Sequence, residues 1–172
     1  MLSLSDNEFS VLSFLVRNFT ERLTIRNIAH RLDFSPAGVF NILKKLEKQG
    51  IVTGQKLGTG LFYSINFENK IAEHLAAIVL LYSEEKTDVG IEKLKSANAA
   101  IIDKKNLVLI TDGMTVLDVS IDGVNIITKT EDEITDLLRK KDAQMLQILK
   151  NGVVLFGEGK VVAIIKKCIS GF

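Results

Sequence analysis

Apolar residues recur three and four positions apart through the first half of the chain. Phe9, Leu12, Leu15, Val16 and Phe19 make one such stripe, and the spacing predicts a helix over 6–19. Ser5 and Glu8 open it with the spacing of a capping box. Ile25, Ile28, Ala29 and Leu32 predict a second, short helix over 25–32, capped by Thr24. Asp33-Phe34 makes a turn. Ser35-Pro36 then starts a third helix over 36–49, a cap residue followed by proline where the missing N–H costs nothing. Val39, Ile42, Leu43 and Leu46 line its inner face, and Gly50 stands where a C-terminal cap belongs.

Two β-rich runs follow, 51–57 and 61–67, joined by Gly58-Thr59-Gly60 as a hairpin tip. Helical spacing returns over 70–84. Ile71, Leu75, Ile78 and Tyr82 alternate four and three apart, as in a heptad seam. That helix either packs on its own domain or is shared between two subunits. The polar stretch 83–88 marks a domain boundary. Beyond it the pattern predicts a helix over 89–102, strands over 107–110, 116–121 and 124–128, a long helix over 131–150, a strand over 153–156 and a final helix over 161–169. Asp112-Gly113 and Asp122-Gly123 punctuate the strands as turns, and Thr130 with Glu133 caps the long helix. The expected fold class is α+β, divided as 1–68, a connecting or dimerisation helix 69–86, and a small α/β domain 87–172.

Hydrophobic residues make up 47% of the chain and there is one proline, which points to a packed globular protein. The formal net charge is only +1, so binding to nucleic acid requires a local charge asymmetry. The stretch 24–60 has one. Arg26, Arg31, Lys44, Lys45, Lys48 and Lys56 face only Asp33 and Glu47, an excess of four positive charges. The beginning of the chain lacks a secretory pattern, and the longest apolar run, 75–82, falls short of the roughly 20 residues a bilayer span needs. The single Cys168 has no partner for an internal disulfide and no ligand-spaced neighbours for zinc. A cytoplasmic protein without metal or cofactor, and without membrane association, is the expectation.

The stretch "TIRNIAHRLDFSPAGVFNILKKLEKQGIV" carries a resemblance. It has two short helices, a tight turn, a small Ala29 where helices cross, Ser-Pro at the start of the next helix, and a basic run leading into a ribbon. This resembles the winged helix-turn-helix superfamily, especially MarR-type regulators, over roughly the first 68 residues. The resemblance implies a transcriptional regulator that binds double-stranded DNA, as a homodimer, with helix 36–49 in the major groove. Ser35, Ala37 and Gly38 keep the start of that helix small, so its backbone can approach the groove. Asn41 suits adenine, and Lys44, Lys45 and Lys48 suit phosphates. Phe40 either meets a thymine methyl or packs partly buried. Arg26 and Asn27 could clamp the backbone, and Lys56 and Thr59 equip the wing. Each of these charges also fits an ordinary solvated face, and a winged helix can equally serve as a protein–protein interaction module.

The stretch 116–157 resembles the nucleotidyltransferase-like domain of small archaeal and bacterial proteins in its order of strand, acidic helix start, Asn-Gly stop and "VVLFG" strand. Active members carry a Gly-Ser turn and then two metal-binding carboxylates on a strand. Here "LITDGMT" lacks the Gly-Ser, and "VLDVSID" offers Asp118 and Ser120 on one face without a second carboxylate. Asp112, Asp118 and Asp122 therefore read as turn and surface residues. The resemblance implies a catalytically inactive copy kept for sensing, dimerisation or partner binding; the competing reading is an enzyme with an altered metal site. No catalytic residue is assigned. His30 and His74 lie on different predicted helices, and Gly157-Glu158-Gly159 reads as a simple turn, not a phosphate-binding loop. A small-molecule effector is open, its identity unknown.

Overall fold

The fold is known from a computed structural model that describes residues 4–82, 94, 96–114 and 119–169. It is an α+β protein in two compact units, Met1–Val79 and Leu80–Phe172.

In the first unit, helix α1 (Asp6–Arg17) starts on the expected capping box, with Ser5 and Glu8 bonded to each other's backbone N–H. It ends two residues before the predicted position 19. Asn18 donates from both its backbone and its side chain to the Phe14 carbonyl, which closes the last turn. Strand β1 (Leu23–Thr24) was not legible in the pattern, being two residues long. Thr24 then caps helix α2 (Ile25–Leu32), and Asp33, in the left-handed conformation, ends it. Helix α3 (Pro36–Lys48) begins on Ser35 as expected. Strands β2 (Val52–Leu57) and β3 (Gly60–Ile65) form the ribbon, closed by a two-residue Gly58-Thr59 turn. The sheet is antiparallel in the order β1-β3-β2, with Tyr63 opposite both Leu23 and Gly54. Val11, Leu12, Val16, Ile28, Val39, Leu43, Leu46 and Ile51 are wholly excluded from water and form the core.

Helix α4 (Lys70–Leu81) is shorter than predicted, and its apolar stripe divides. Ala72, Leu75, Ala76 and Val79 are buried, whereas Ile71, His74, Ile78, Leu81 and Tyr82 are exposed. Leu75 therefore does not share a face with Ile71 and Ile78, as the heptad spacing suggested. The predicted boundary at 83–88 lies outside the described residues.

The second unit is a mixed four-stranded sheet, β6-β5-β4-β7, built from β4 (Ala99–Asp103), β5 (Asn106–Thr111), β6 (Asn125–Thr130) and β7 (Val153–Phe156). Strand β5 pairs antiparallel with β4 and parallel with β6. Leu94, Ala97, Ala100, Ile102, Leu107 and Leu109 make the core on one face, with Val119, Ile121 and Val124 packed against it. Ile101, Val108 and Ile110 alternate to the other face, and helices α6 (Ala143–Asn151) and α7 (Glu158–Ile169) contact β4.

Three expectations for this unit change. The helix over 89–102 gives way at its C-terminal end to β4; residues 89–93 lie outside the described set. The run "AAII" is buried on both faces, and such a run fits a helix or a central strand equally until its neighbours are known. The long helix over 131–150 is two helices, α5 (Glu131–Arg139) and α6. Lys141 adopts a left-handed φ of 58° and Asp142 caps α6 by accepting from the Met145 N–H, so the chain turns without a glycine. The strand over 116–121 is not seen where it is described, since Val119–Ile121 is irregular and runs into the Asp122-Gly123 turn; residues 116–118 lie outside the described set.

Gly157 joins β7 to α7 with φ +74°, and a Cβ there would collide with the Asn98 carbonyl and with Ala99. Gly159, two residues on, is helical and faces open space. Gly157→Ala is expected to cost about 3 kcal/mol or more, and Gly159→Ala to stabilise by up to about 1 kcal/mol. Urea midpoints of the two variants check this; similar midpoints would refute the assigned close contact.

Candidate nucleic-acid interface

Helix α3 has a clean division of faces. Val39, Leu43 and Leu46 are fully buried, and Ile42, expected with them, is half-buried at the margin. Ala37, Phe40, Asn41, Lys44, Lys45 and Lys48 are exposed on the other side, with Gly38 between. The 3.6-residue period makes this inevitable once the inner stripe is anchored. Ser35 is spent on the structure, its hydroxyl accepting from the Gly38 N–H at 3.1 Å. Phe40 is 42% exposed. Lys44 Nζ lies 5.9 Å from the centre of its ring.

The lysines of this face differ in what already holds them. Lys45 Nζ donates to Glu8 at 2.7 Å across to α1. Lys44 Nζ reaches Glu47 at 3.4 Å on its own helix. Arg31 is paired with Glu21 at 2.6 Å and stands over the Phe14 ring. Arg26, Lys48 and Lys56 carry no ion pair among the described residues. The excess of four positive charges counted along 24–60 is therefore partly offset by Glu8 and Glu21, which lie outside that window. Asn27 has its side-chain oxygen committed to Thr24, accepting from the backbone N–H at 3.1 Å and the hydroxyl at 2.6 Å. Lys56 and Thr59 are exposed on the ribbon, close to its tip.

Glu8 is the one acid buried at this interface, at 6% exposure. Burial pushes its carboxyl pKa up. The hydrogen bonds from Lys45 and from the Ser5 backbone, with the charge of Lys45, more than reverse this, and the net pKa lies below the ordinary carboxylate value. Sequence reading saw Glu8 only as a cap, because its second partner lies 37 positions further along the chain.

The comparisons fit this geometry. The model of the MarR family matches residues 2–59, which take in α1, α2, α3 and β2 and end in the ribbon turn. This segment is a MarR-type winged-helix domain. Such a domain supports, in general terms, a DNA-binding transcriptional regulator. No curated protein matches the chain. All twelve residues proposed from sequence for DNA contact fall within the matched stretch, with Thr59 its last residue.

Beyond the MarR-type domain the described residues offer less chemistry. Among them no three His, Cys, Asp or Glu side chains gather as metal ligands, and no helix is long and apolar enough to cross a membrane. Asp112 and Asp122 are exposed turn residues, and Asp118 lies outside the described set. Cys168 is buried, and burial raises its thiol pKa against the opposing charge of Arg139. His74 is exposed, as is His30 on α2 within the MarR-type domain.

The Glu8–Lys45 bond yields a pH test. A carboxyl whose folded pKa is depressed adds stability above its unfolded pKa and loses it as pH falls through the folded value. Glu8→Gln is expected to cost about 1–2 kcal/mol at pH 7. That deficit should shrink at an acid pH below the ordinary carboxylate range, where the carboxyl protonates in the folded state as well. Denaturation curves at both pH values read it; a deficit independent of pH would refute the ionic contribution.

Proposed function

We propose that the protein is a sequence-specific DNA-binding regulator that works as a dimer, with α3 in the major groove of each half-site of a palindromic operator. The observation that carries this reading is the outward face of α3: small at its start, then Phe40, Asn41, Lys44 and Lys48, all exposed on a helix anchored by a fully buried inner stripe. Asn41 is the base reader, pairing with adenine, and Phe40 meets a thymine methyl. Lys44, Lys48 and Arg26 hold phosphates. Lys45 contributes through Glu8, which sets where α3 lies against α1. Lys56 and Thr59 bring the wing to the flanking backbone.

The exposed stripe of α4 supports the dimer. Ile71, Ile78 and Leu81 on α4, and Tyr82 directly after it, each leave roughly half of their surface or more in water, which for neighbouring large apolar side chains marks an association surface. Half-sites on successive turns of a duplex lie about 34 Å apart, the separation that the two recognition helices of such a dimer have to match. The unit 80–172 receives the signal or adds to the dimer contact.

Selection of bound duplexes from a random or genomic library, with and without candidate metabolites, tests the reading; no enrichment at low salt would overturn it. Lys48→Ala is expected to weaken all duplexes alike and to lower the salt slope by about 0.9. Asn41→Ala should instead lose about 1–3 kcal/mol of discrimination at one base pair. Ile78→Glu should yield monomers by sedimentation equilibrium; an unchanged mass would rule out α4 as the dimer contact.

A further inference from the structure

Strand β2 is an edge strand, since the sheet runs β1-β3-β2. In an antiparallel ladder every second residue turns its N–H away from the partner strand, and at an edge those groups need another acceptor. The Gly54 N–H finds one in Glu47, donating to Oε1 at 3.2 Å. The other carboxylate oxygen, Oε2, accepts from Lys44 Nζ at 3.4 Å. One side chain on the last turn of α3 thus ties together a groove-facing lysine and the edge of the wing.

Residue 54 is built for this approach. A Cβ on Gly54 would stand 2.8 Å from Glu47 Oε1 and 3.1 Å from the Tyr63 ring. Glycine weakens a strand unless something must come close to its backbone, and here that is the Glu47 carboxylate. Two residues beyond, the ribbon carries Lys56, and its turn carries Thr59. An acid beside a phosphate-facing lysine opposes DNA binding by charge alone. Its place is explained by what it holds.

We propose that Glu47 is a positioning residue that fixes the wing to the recognition helix, so that α3 and the ribbon meet DNA as one rigid surface. This rests on the reading of α3 and the ribbon as the DNA-contacting elements. Two opposite effects of removing the acid make it decidable. Loss of a mere repulsive charge would tighten binding and steepen its salt dependence. Loss of a strut would weaken binding and remove the share that the wing supplies.

The experiment measures affinity of the full-length protein for a duplex recovered by selection from a random library, using Glu47→Ala, Glu47→Gln and Gly54→Ala, with melting curves confirming that each is folded. Glu47→Ala and Gly54→Ala are expected to bind about tenfold more weakly, the size of one charge-assisted hydrogen bond. Glu47→Gln keeps an acceptor for the Gly54 N–H while removing the repulsive charge, and should bind at least as tightly as wild type. Lys56→Ala should weaken the wild type but add nothing to Glu47→Ala. Tighter binding by Glu47→Ala, or a full Lys56→Ala effect in that background, would overturn the proposal. Amide exchange at Gly54 reads the strut without DNA: slow in wild type and Glu47→Gln, fast in Glu47→Ala. Unchanged exchange overturns the strut whatever the DNA result, whereas a wild type that binds no duplex overturns only the DNA-binding reading.

Discussion

Val39, Leu43 and Leu46 are completely withdrawn from water on the inner side of α3, and the N-terminal unit is arranged around that burial. Each such side chain contributes about 1.5–3 kcal/mol when taken out of water, which exceeds anything the polar face could gain by rotating inward. The helix can therefore sit in one orientation only. Ala37, Asn41, Lys44 and Lys48 are exposed as a consequence, without any interaction that selects for their exposure. The wing follows as well, because Ile51 and Val52 are buried directly after the helix and fix where the ribbon departs.

Charge refines what packing has set. Glu8 and Glu47 meet two neighbouring lysines of α3, one from a different helix and one from the same helix. Glu8 is buried and Lys45 is half-exposed, so their bond works as a fixed cross-link between α1 and α3. The lysines of the interface consequently have unequal roles. Lys48 and Lys56 carry no ion pair among the described residues and suit the mobile neutralisation of phosphates, while Lys45 is invested in the position of the helix. A count of basic residues along the chain treats them alike.

The second unit follows a different logic. Strands β4 and β5 are buried along their length, and helices and an irregular segment cover the sheet. Such strands lose the period-two alternation that would announce them. Lys141 breaks what reads as one helix, using a left-handed residue that is neither glycine nor asparagine. Of the carboxylates read as turn and surface residues and not as metal ligands, Asp112 and Asp122 lie exposed in turns, and Asp118 lies outside the described residues.

The amino-acid sequence alone determined the local elements of the first unit: capping residues at Ser5, Thr24 and Ser35, the inner stripe of α3 and the ribbon turn all act over four residues or fewer, so linear spacing reports them directly. Most of the candidate site was legible for the same reason, since a helix with one anchored face must expose the other. Only the tertiary structure decided which of its charges are spoken for. The Glu8–Lys45 bond and the Glu47–Gly54 contact join positions that only packing brings together, as do the pairing of Leu23 with Tyr63 and the choice of strand over helix for Ala99–Asp103. Each depends on which surfaces exclude water from one another, and that is a property of the folded chain as a whole.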